Sequence, residues 1–424
     1  MNNEQRLVRQ IERLVTNLYQ RRKKNGVMLP RKVTVGWPVF DEKETIAVIR
    51  TLISGQLSLG PKVHEFEAMV ARYVGKKYAV AVNSGSSANL LALTALIQSG
   101  RVSKGSEVIV PAATFPTVVS PIIQSDLIPV YVDVDPVSWN IDLQEIKKAI
   151  TKKTRVVMPV HSFGNPANMG AIMKIAKAHG LIVLEDCCEA HGARIGLKKV
   201  GSFGVLSTWS FFVAHNITTG EGGMIFTDDK KLRDIMVSVR EFGRVTDERA
   251  QKSRVFHDQV LGDYDTRYVF NRLGYNMRVT EIMAAIGVEQ FKKLNALNRE
   301  RQRNAHRLDI GLAPFQKYLR LPKVAKGTEH SYYAYPMIIE SNAPFNRTML
   351  TNFLEERGIE TRGFMGGCLP DQPGFRNEVG RVIGRLPVSR LIRDRAFFVG
   401  CHPALSATHL KRIAEAFAEF FRTL

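Results

Sequence analysis

Residues 78–98 read Y-A-V-A-V-N-S-G-S-S-A-N-L-L-A-L-T-A-L-I-Q, and the architecture is decided there. An apolar run (78–82) has the pattern of a buried strand. Small and polar residues follow, then a helical run rich in Leu and Ala. Further apolar runs occur at 107–110, 128–132, 156–160 and 181–184, with helix-length segments between them. Strands alternating with helices at this spacing predict an α/β fold built on a mostly parallel sheet. Ligands gather at the carboxyl ends of such strands, so the loops just after these runs are where function is sought.

The first such loop is Asn83-Ser84-Gly85-Ser86-Ser87-Ala88-Asn89. Small residues let backbone amides approach an anion, and a helix N-terminus adds positive potential, so Ser86 and Ser87 are candidate phosphate contacts. The competing reading is an ordinary serine N-cap. Phe115, in P-A-A-T-F-P-T (111–117), follows the second run. It is either core or a ring placed to stack on a flat heteroaromatic group. Asp186, in L-E-D-C-C-E-A-H-G (184–192), ends an apolar run, where a carboxylate is costly without a partner. Capping of the next turn is the alternative for it.

The segment W-S-F-F-V-A-H-N-I-T-T-G-E-G-G (209–223) lies between apolar runs 205–212 and 224–226, which reads as a loop flanked by two strands with His215 at its centre. Upstream, residues 4–24 place Leu7, Ile11, Leu14, Val15 and Leu18 on one helical face, an amphipathic helix that packs on its own domain or on a partner. Downstream, 289–307 reads as a long charged helix linking two domains. The expected division is an N-terminal helical arm (1–30), a large domain (31–290) and a small C-terminal domain (291–424).

Bulk properties exclude several classes. With 45% hydrophobic and 24% charged residues the chain is an ordinary globular composition. No apolar run reaches the ~20 residues of a membrane helix, and the N-terminus lacks a signal-peptide core, so a cytoplasmic protein is expected. Four cysteines in 424 residues are too few for a disulfide framework. The net charge of +20 suits nucleic acid or an anionic small substrate. Scattered basic residues, and the lack of a zinc-finger or aromatic RNA-binding pattern, favour the small substrate.

These motifs together resemble the DegT/DnrJ/EryC1/StrS sugar aminotransferase family, pyridoxal-phosphate enzymes of aspartate-aminotransferase fold. The carriers are S-G-S-S-A-N (84–89), E-D-C-C-E-A-H-G (185–192), residues 209–223, L-G-Y-N-M-R-V-T-E (273–281) and the closing F-F-V-G-C-H-P-A-L (397–405). The resemblance implies a large mixed, mostly parallel sheet domain and a small C-terminal α+β domain. It implies that Ser86, Ser87 and Ser210 serve the coenzyme phosphate, Phe115 stacks on the ring, Asp186 binds the pyridine nitrogen and Glu189 lies near the ring hydroxyl. Asn276 would reach the phosphate of a neighbouring subunit, hence a homodimer. Arg362 could hold a carboxylate or diphosphate through its fork. His402 is expected to be structural.

Where the family carries a lysine this chain has His215. Imidazole cannot make lysine's stable covalent link to pyridoxal phosphate. The coenzyme, pyridoxal or pyridoxamine 5'-phosphate, would then be held non-covalently. A histidine of ordinary pKa, near ~6.5, suits proton transfer at neutral pH. The pattern resembles the nucleotide-sugar 3-dehydratase branch, which implies removal of a C3 hydroxyl from a nucleotide-diphosphate 4-keto-6-deoxyhexose, with glutamate or an external reductase completing the cycle. Some branch members carry a [2Fe–2S] cluster on four cysteines. Here 245–265 holds none and only Cys188 matches a ligand position, so no cluster is expected. A nucleotide-sugar aminotransferase and a non-catalytic coenzyme or sugar-nucleotide binder are the alternatives.

Overall fold

The computed structural model describes residues 3–26, 30–246 and 253–424. Positions 27–29 of the expected arm and 247–252 of the cysteine-free segment lie outside the described residues.

The large sheet contains β1 (Tyr78–Val82), β2 (Glu107–Pro111), β3 (Ile128–Val132), β4 (Thr154–Val157), β5 (Ile182–Asp186), β6 (Leu206–Ser210) and β7 (Gly223–Thr227). Their order is β1-β7-β6-β5-β4-β2-β3, and Arg381–Val382 adds a short last strand beside β3. Only β7 runs antiparallel to its neighbours, β1 and β6. The other pairs are parallel. β2, β6 and β7 are buried along their whole length, as expected of a sheet covered on both faces. One expected strand is shorter than its apolar run. Pairing of 156–160 stops at Val157, because Pro159 has no N–H to donate, and Val160 makes a single bridge to Asp186.

Helix α4 (Gly85–Gln98), which follows β1, is apolar nearly all round and sits in the core with α5 (Pro116–Gln124) and helix Lys230–Arg240. Leu143–Ala149 and Met169–His179 cover the opposite face. The expected linking helix is longer than its charged stretch: α6 runs Glu281–Leu312. Its first carboxylate, Glu281, accepts from the amides of Lys62 and Val63 at 2.9 Å each, capping α3 (Pro61–Val74).

The second sheet is antiparallel, in the order Leu319–Arg320, Tyr335–Ile339, Ala396–Val399, Thr361–Gly363. It packs with the end of α6 and helix Ala407–Arg422 around Tyr335, Phe397 and Phe417. Two segments cross the expected boundary near residue 290: Val33 bridges Ile359, and Arg381–Val382 joins the large sheet. Helix α1 (Asn3–Lys24) lies on α2 (Glu42–Ser54) through Tyr19, which bonds Thr45 at 2.7 Å, and Glu12, which pairs with Arg50. The leucine stripe sits to one side of that contact, and Leu7, Ile11, Leu14 and Leu18 are exposed.

Candidate active site

A pocket of about 240 Å³ opens where the loops after β1, β2, β5 and β6 converge, closed on one side by Tyr333 and Met365. It gathers Ser86, Phe115, Asp186, Glu189, Ser210 and His215, six residues singled out from the sequence. Three others are not among its lining. Ser87 serves the helix cap: Ser84 Oγ accepts from its amide at 3.1 Å and donates to its hydroxyl at 3.0 Å. The phosphate and N-cap readings of this loop are therefore compatible, since the cap leaves the amides of Gly85 and Ser86 at the mouth of α4. Asn276 is exposed and its side chain accepts from Arg278 at 3.2 Å. Arg362, also exposed, pairs with Glu360 on its own segment.

The cradle beside α4 depends on two glycines. A Cβ on Gly85 would lie 2.5 Å from Cβ of Ser210 and 3.3 Å from Sγ of Cys188. A Cβ on Gly223 would strike the carbonyl of Ser84. Backbone and hydroxyl thus meet more closely than any side chain allows, which suits a multiply bonded anion.

Asp186 is buried and oriented. Its Oδ2 accepts from Asn89 at 2.9 Å and its Oδ1 from the amide of Cys188 at 3.0 Å. Asn89 in turn accepts from Thr208 at 2.7 Å, so β6 and α4 together fix the carboxylate. Glu189 accepts from the amide of Phe163 at 2.8 Å, and burial pushes its pKa up to about 8 with Asp186 adding to the shift. At neutral pH it is a protonated acid, able to donate. Phe115 is half exposed at the pocket, which favours the stacking reading over the core one.

His215 differs from its expected ionisation. Burial, aided by the nearby Arg301 guanidinium, pushes its pKa down to about 3, so the imidazole is neutral. Its Nδ1 is buried without a hydrogen-bond partner, leaving Nε2 as the ring nitrogen open to the pocket. Tyr333 packs on the ring at 5.3 Å between centroids, and His191 lies 5.9 Å away, stacked on Trp209. His402 is buried in the small domain and bonds Thr34, a packing role.

Sequence reasoning missed the residues that orient the others. Asn89 left a signal, the one amide among the buried residues of a largely apolar helix. Tyr333, Asn298 and Arg301 left none, since their relation to 209–223 exists only after folding.

A helix N-terminus, a held carboxylate and an exposed ring at the strand ends of a large mixed sheet, beside a small antiparallel domain, define the class: the pyridoxal-phosphate-dependent aminotransferase fold. The chain belongs to the DegT/DnrJ/EryC1/StrS aminotransferase family, whose model matches residues 38–418. It is 37% identical to a dTDP-4-dehydro-2,6-dideoxy-D-glucose 3-dehydratase of Saccharopolyspora spinosa, over 90% of this chain and 85% of that one. Among solved structures it resembles E. coli GDP-4-keto-6-deoxy-D-mannose-3-dehydratase with bound hydrated PLP (TM-score 0.83, 31% identity, 92% of this chain and 99% of that one). A structure of GDP-4-keto-6-deoxymannose-3-dehydratase with a trapped PLP-glutamate geminal diamine superposes with TM-score 0.82 at 31% identity, covering 90% and 99%.

Proposed function

We propose that the protein is a pyridoxamine/pyridoxal-phosphate-dependent 3-dehydratase that removes the C3 hydroxyl of a nucleotide-diphosphate 4-keto-6-deoxyhexose, with His215 as acid and base and no iron–sulfur cluster. The observation that carries this reading is His215 itself. A neutral imidazole faces the coenzyme-sized pocket, and no lysine is among the residues lining it.

The donor set fits the coenzyme. Gly85, Ser86 and Ser210 would hold its phosphate, Phe115 its ring face, Asp186 its ring nitrogen and Glu189 its ring hydroxyl. When bound, the coenzyme supplies an amine for the sugar's 4-keto carbon and a ring that accepts electrons. Asp186 keeps a proton on the ring nitrogen, because its carboxylate is already fixed by Asn89 and the Cys188 amide. Glu189, protonated at neutral pH, would hold the ring oxygen by donating a hydrogen bond. His215 removes a proton at Nε2 and returns it to the departing C3 hydroxyl; a proton held at one atom, shielded from water, limits exchange with solvent. A neutral starting imidazole is the form this step needs. Glutamate would serve as the amine donor, with Arg362 the candidate for its carboxylate.

The cluster-free assignment is supported by the cysteines. Cys187, Cys368 and Cys401 sit in three separate hydrophobic cores, and Cys188 is the single thiol at the pocket. A homodimer with a shared site is supported by Asn276, which lies outside its own pocket among exposed Phe270, Leu273 and Tyr275. Among the described residues no helix is long and apolar enough to cross a membrane.

The test is to incubate purified protein with pyridoxamine phosphate, glutamate and a panel of 4-keto-6-deoxy sugar nucleotides. Ammonia and a sugar lighter by one oxygen, seen by mass spectrometry, are expected. An amino sugar would replace this reading with transamination, and a protein that binds no coenzyme would replace it with an inert binder.

A further inference from the structure

Helix α6 carries a buried cation with no counter-ion. Arg301 is 2% exposed, and among the described residues no carboxylate lies within ion-pair distance of it. A guanidinium taken out of water without an anion is costly, and an apolar residue of similar size would satisfy the packing better. It meets the Cys401 thiol, and its other hydrogen bonds go to carbonyls. Nη1 donates to Tyr332 O at 3.1 Å and to Tyr333 O at 2.7 Å, and Nη2 donates to His215 O at 3.2 Å. Two of these three residues, His215 and Tyr333, line the pocket with their rings 5.3 Å apart and belong to chain segments more than a hundred positions apart. One side chain therefore ties the two segments together.

We infer that Arg301 is a positioning residue, clamping the backbones of His215 and Tyr333 so that the imidazole is held with Nε2 toward the reacting atoms. The inference rests on the assignment of His215 as the acid/base. Neighbouring contacts brace the same loop. Asn216 donates to Asn298 at 2.9 Å and to Ser331 O at 3.0 Å, and the amide of His215 bonds Phe212 O. A Cβ on Gly36 would lie 2.7 Å from Cβ of Ala214, so the loop is closed from that side too. These contacts fix where the loop runs. Arg301 joins it to Tyr332 and Tyr333, beside the Asn216–Ser331 bond, and adds a positive charge.

That charge gives the clamp a second effect. The titratable groups facing His215 are Arg301 from α6, His191 after β5, Tyr333 before the small sheet, and Asp186, Glu189 and Glu221 around the pocket. Arg301 pushes the imidazole further down than burial alone and pushes His191 down as well.

The test uses full-length Arg301→Met, which keeps volume and removes both fork and charge, and Arg301→Lys, which keeps charge and loses the fork. The readouts are the His215 ring signal by NMR at pH 7 in ¹³C-histidine-labelled protein without coenzyme, coenzyme affinity, and kcat and KM on the loaded enzyme. Both variants lose the fork to the carbonyls of His215 and Tyr333, so both are expected to move the His215 ring signal. Both should lower kcat by about tenfold or more with KM and coenzyme affinity within about threefold. Wild-type kcat in Arg301→Lys overturns the clamp. So does an unmoved His215 ring signal in both variants, or a kcat loss matched by equal loss of coenzyme. If Arg301→Met does not fold, Arg301→Lys decides on kcat. His215→Asn, run in parallel, separates the two ideas: if it stays fully active the acid/base assignment fails, and if it is dead while the Arg301 variants are normal only the clamp fails.

Discussion

At the scale of single residues, the proposed chemistry depends on two protonation states and one fixed carboxylate. His215 is neutral, Glu189 is protonated until pH about 8, and Asp186 is bonded to Asn89 and an amide. Replacing His215 by Lys restores an amine that can link to pyridoxal phosphate. His215→Lys should therefore trap coenzyme as a borohydride-stable mass adduct and lose dehydration by roughly 10²-fold or more, the usual contribution of a general base. If no adduct forms, position 215 does not reach the coenzyme. Glu189 sets an upper pH limit. It donates only while protonated, so activity should fall as pH rises through about 8, and Glu189→Gln, which cannot titrate, should flatten that limb in a kcat profile. An unchanged limb would assign it to another group. The identities of His215, Asp186 and Glu189 were legible in the sequence because polar residues at strand ends stand out against apolar runs. The ionisation of His215 and Glu189 was not. It depends on burial first, then on Arg301 beside His215 and on Phe163 and Asp186 beside Glu189, whose approach no spacing reveals.

At the scale of elements, the site is held by the junction of β1 with α4 and by one stripe of α6. Gln290, Leu294, Asn298, Arg301 and Ala305 recur every three or four residues and are buried, so they form one face of α6. Gln290 receives the amide of Thr218, Asn298 receives Asn216 and bonds His191 O, and Arg301 holds His215 O. In sequence this helix read as a charged linker, because most of its charged residues are on the exposed face and the buried polar ones look no different. The β1–α4 junction was more legible, since its glycine and serines are needed locally. Gly85→Ala tests it. The added methyl meets Ser210 and Cys188, so Ser210 must shift away from the helix mouth. Coenzyme affinity should fall by about tenfold while the melting temperature of the coenzyme-free protein stays within a few degrees. A fall in stability without a fall in affinity would make Gly85 a packing residue only.

For the whole molecule, the buried histidines decide how stability responds to acid. His215, His330 and His402 have pKa values pushed down to about 3 by burial, and His191 is pushed well below its usual value. In the unfolded chain each titrates near ~6.5. A depressed folded pKa gives stability that is complete above ~6.5 and is lost as pH falls toward the folded value, because the unfolded state then binds the extra protons. Each such proton is worth about 1.4 kcal/mol per pH unit. Glu189 acts in the opposite direction. Its raised pKa gives stability that is complete below ~4.5 and lost as pH rises through about 8. Between pH 6.5 and 4.5 four histidine protons oppose one carboxyl proton, so the net slope is a loss on acidification of about three protons, roughly 4 kcal/mol per pH unit at most. From pH 6.5 to 8 the opposing contributions are comparable. The coenzyme-free protein should show a broad stability maximum near neutrality and a melting temperature that drops steeply below pH 6. Because the groups are buried, the drop should persist in 0.5 M salt, where surface charge pairs are screened. A melting temperature that is flat from pH 7 to 5 would mean that these imidazoles titrate in the folded protein as they do in the unfolded chain.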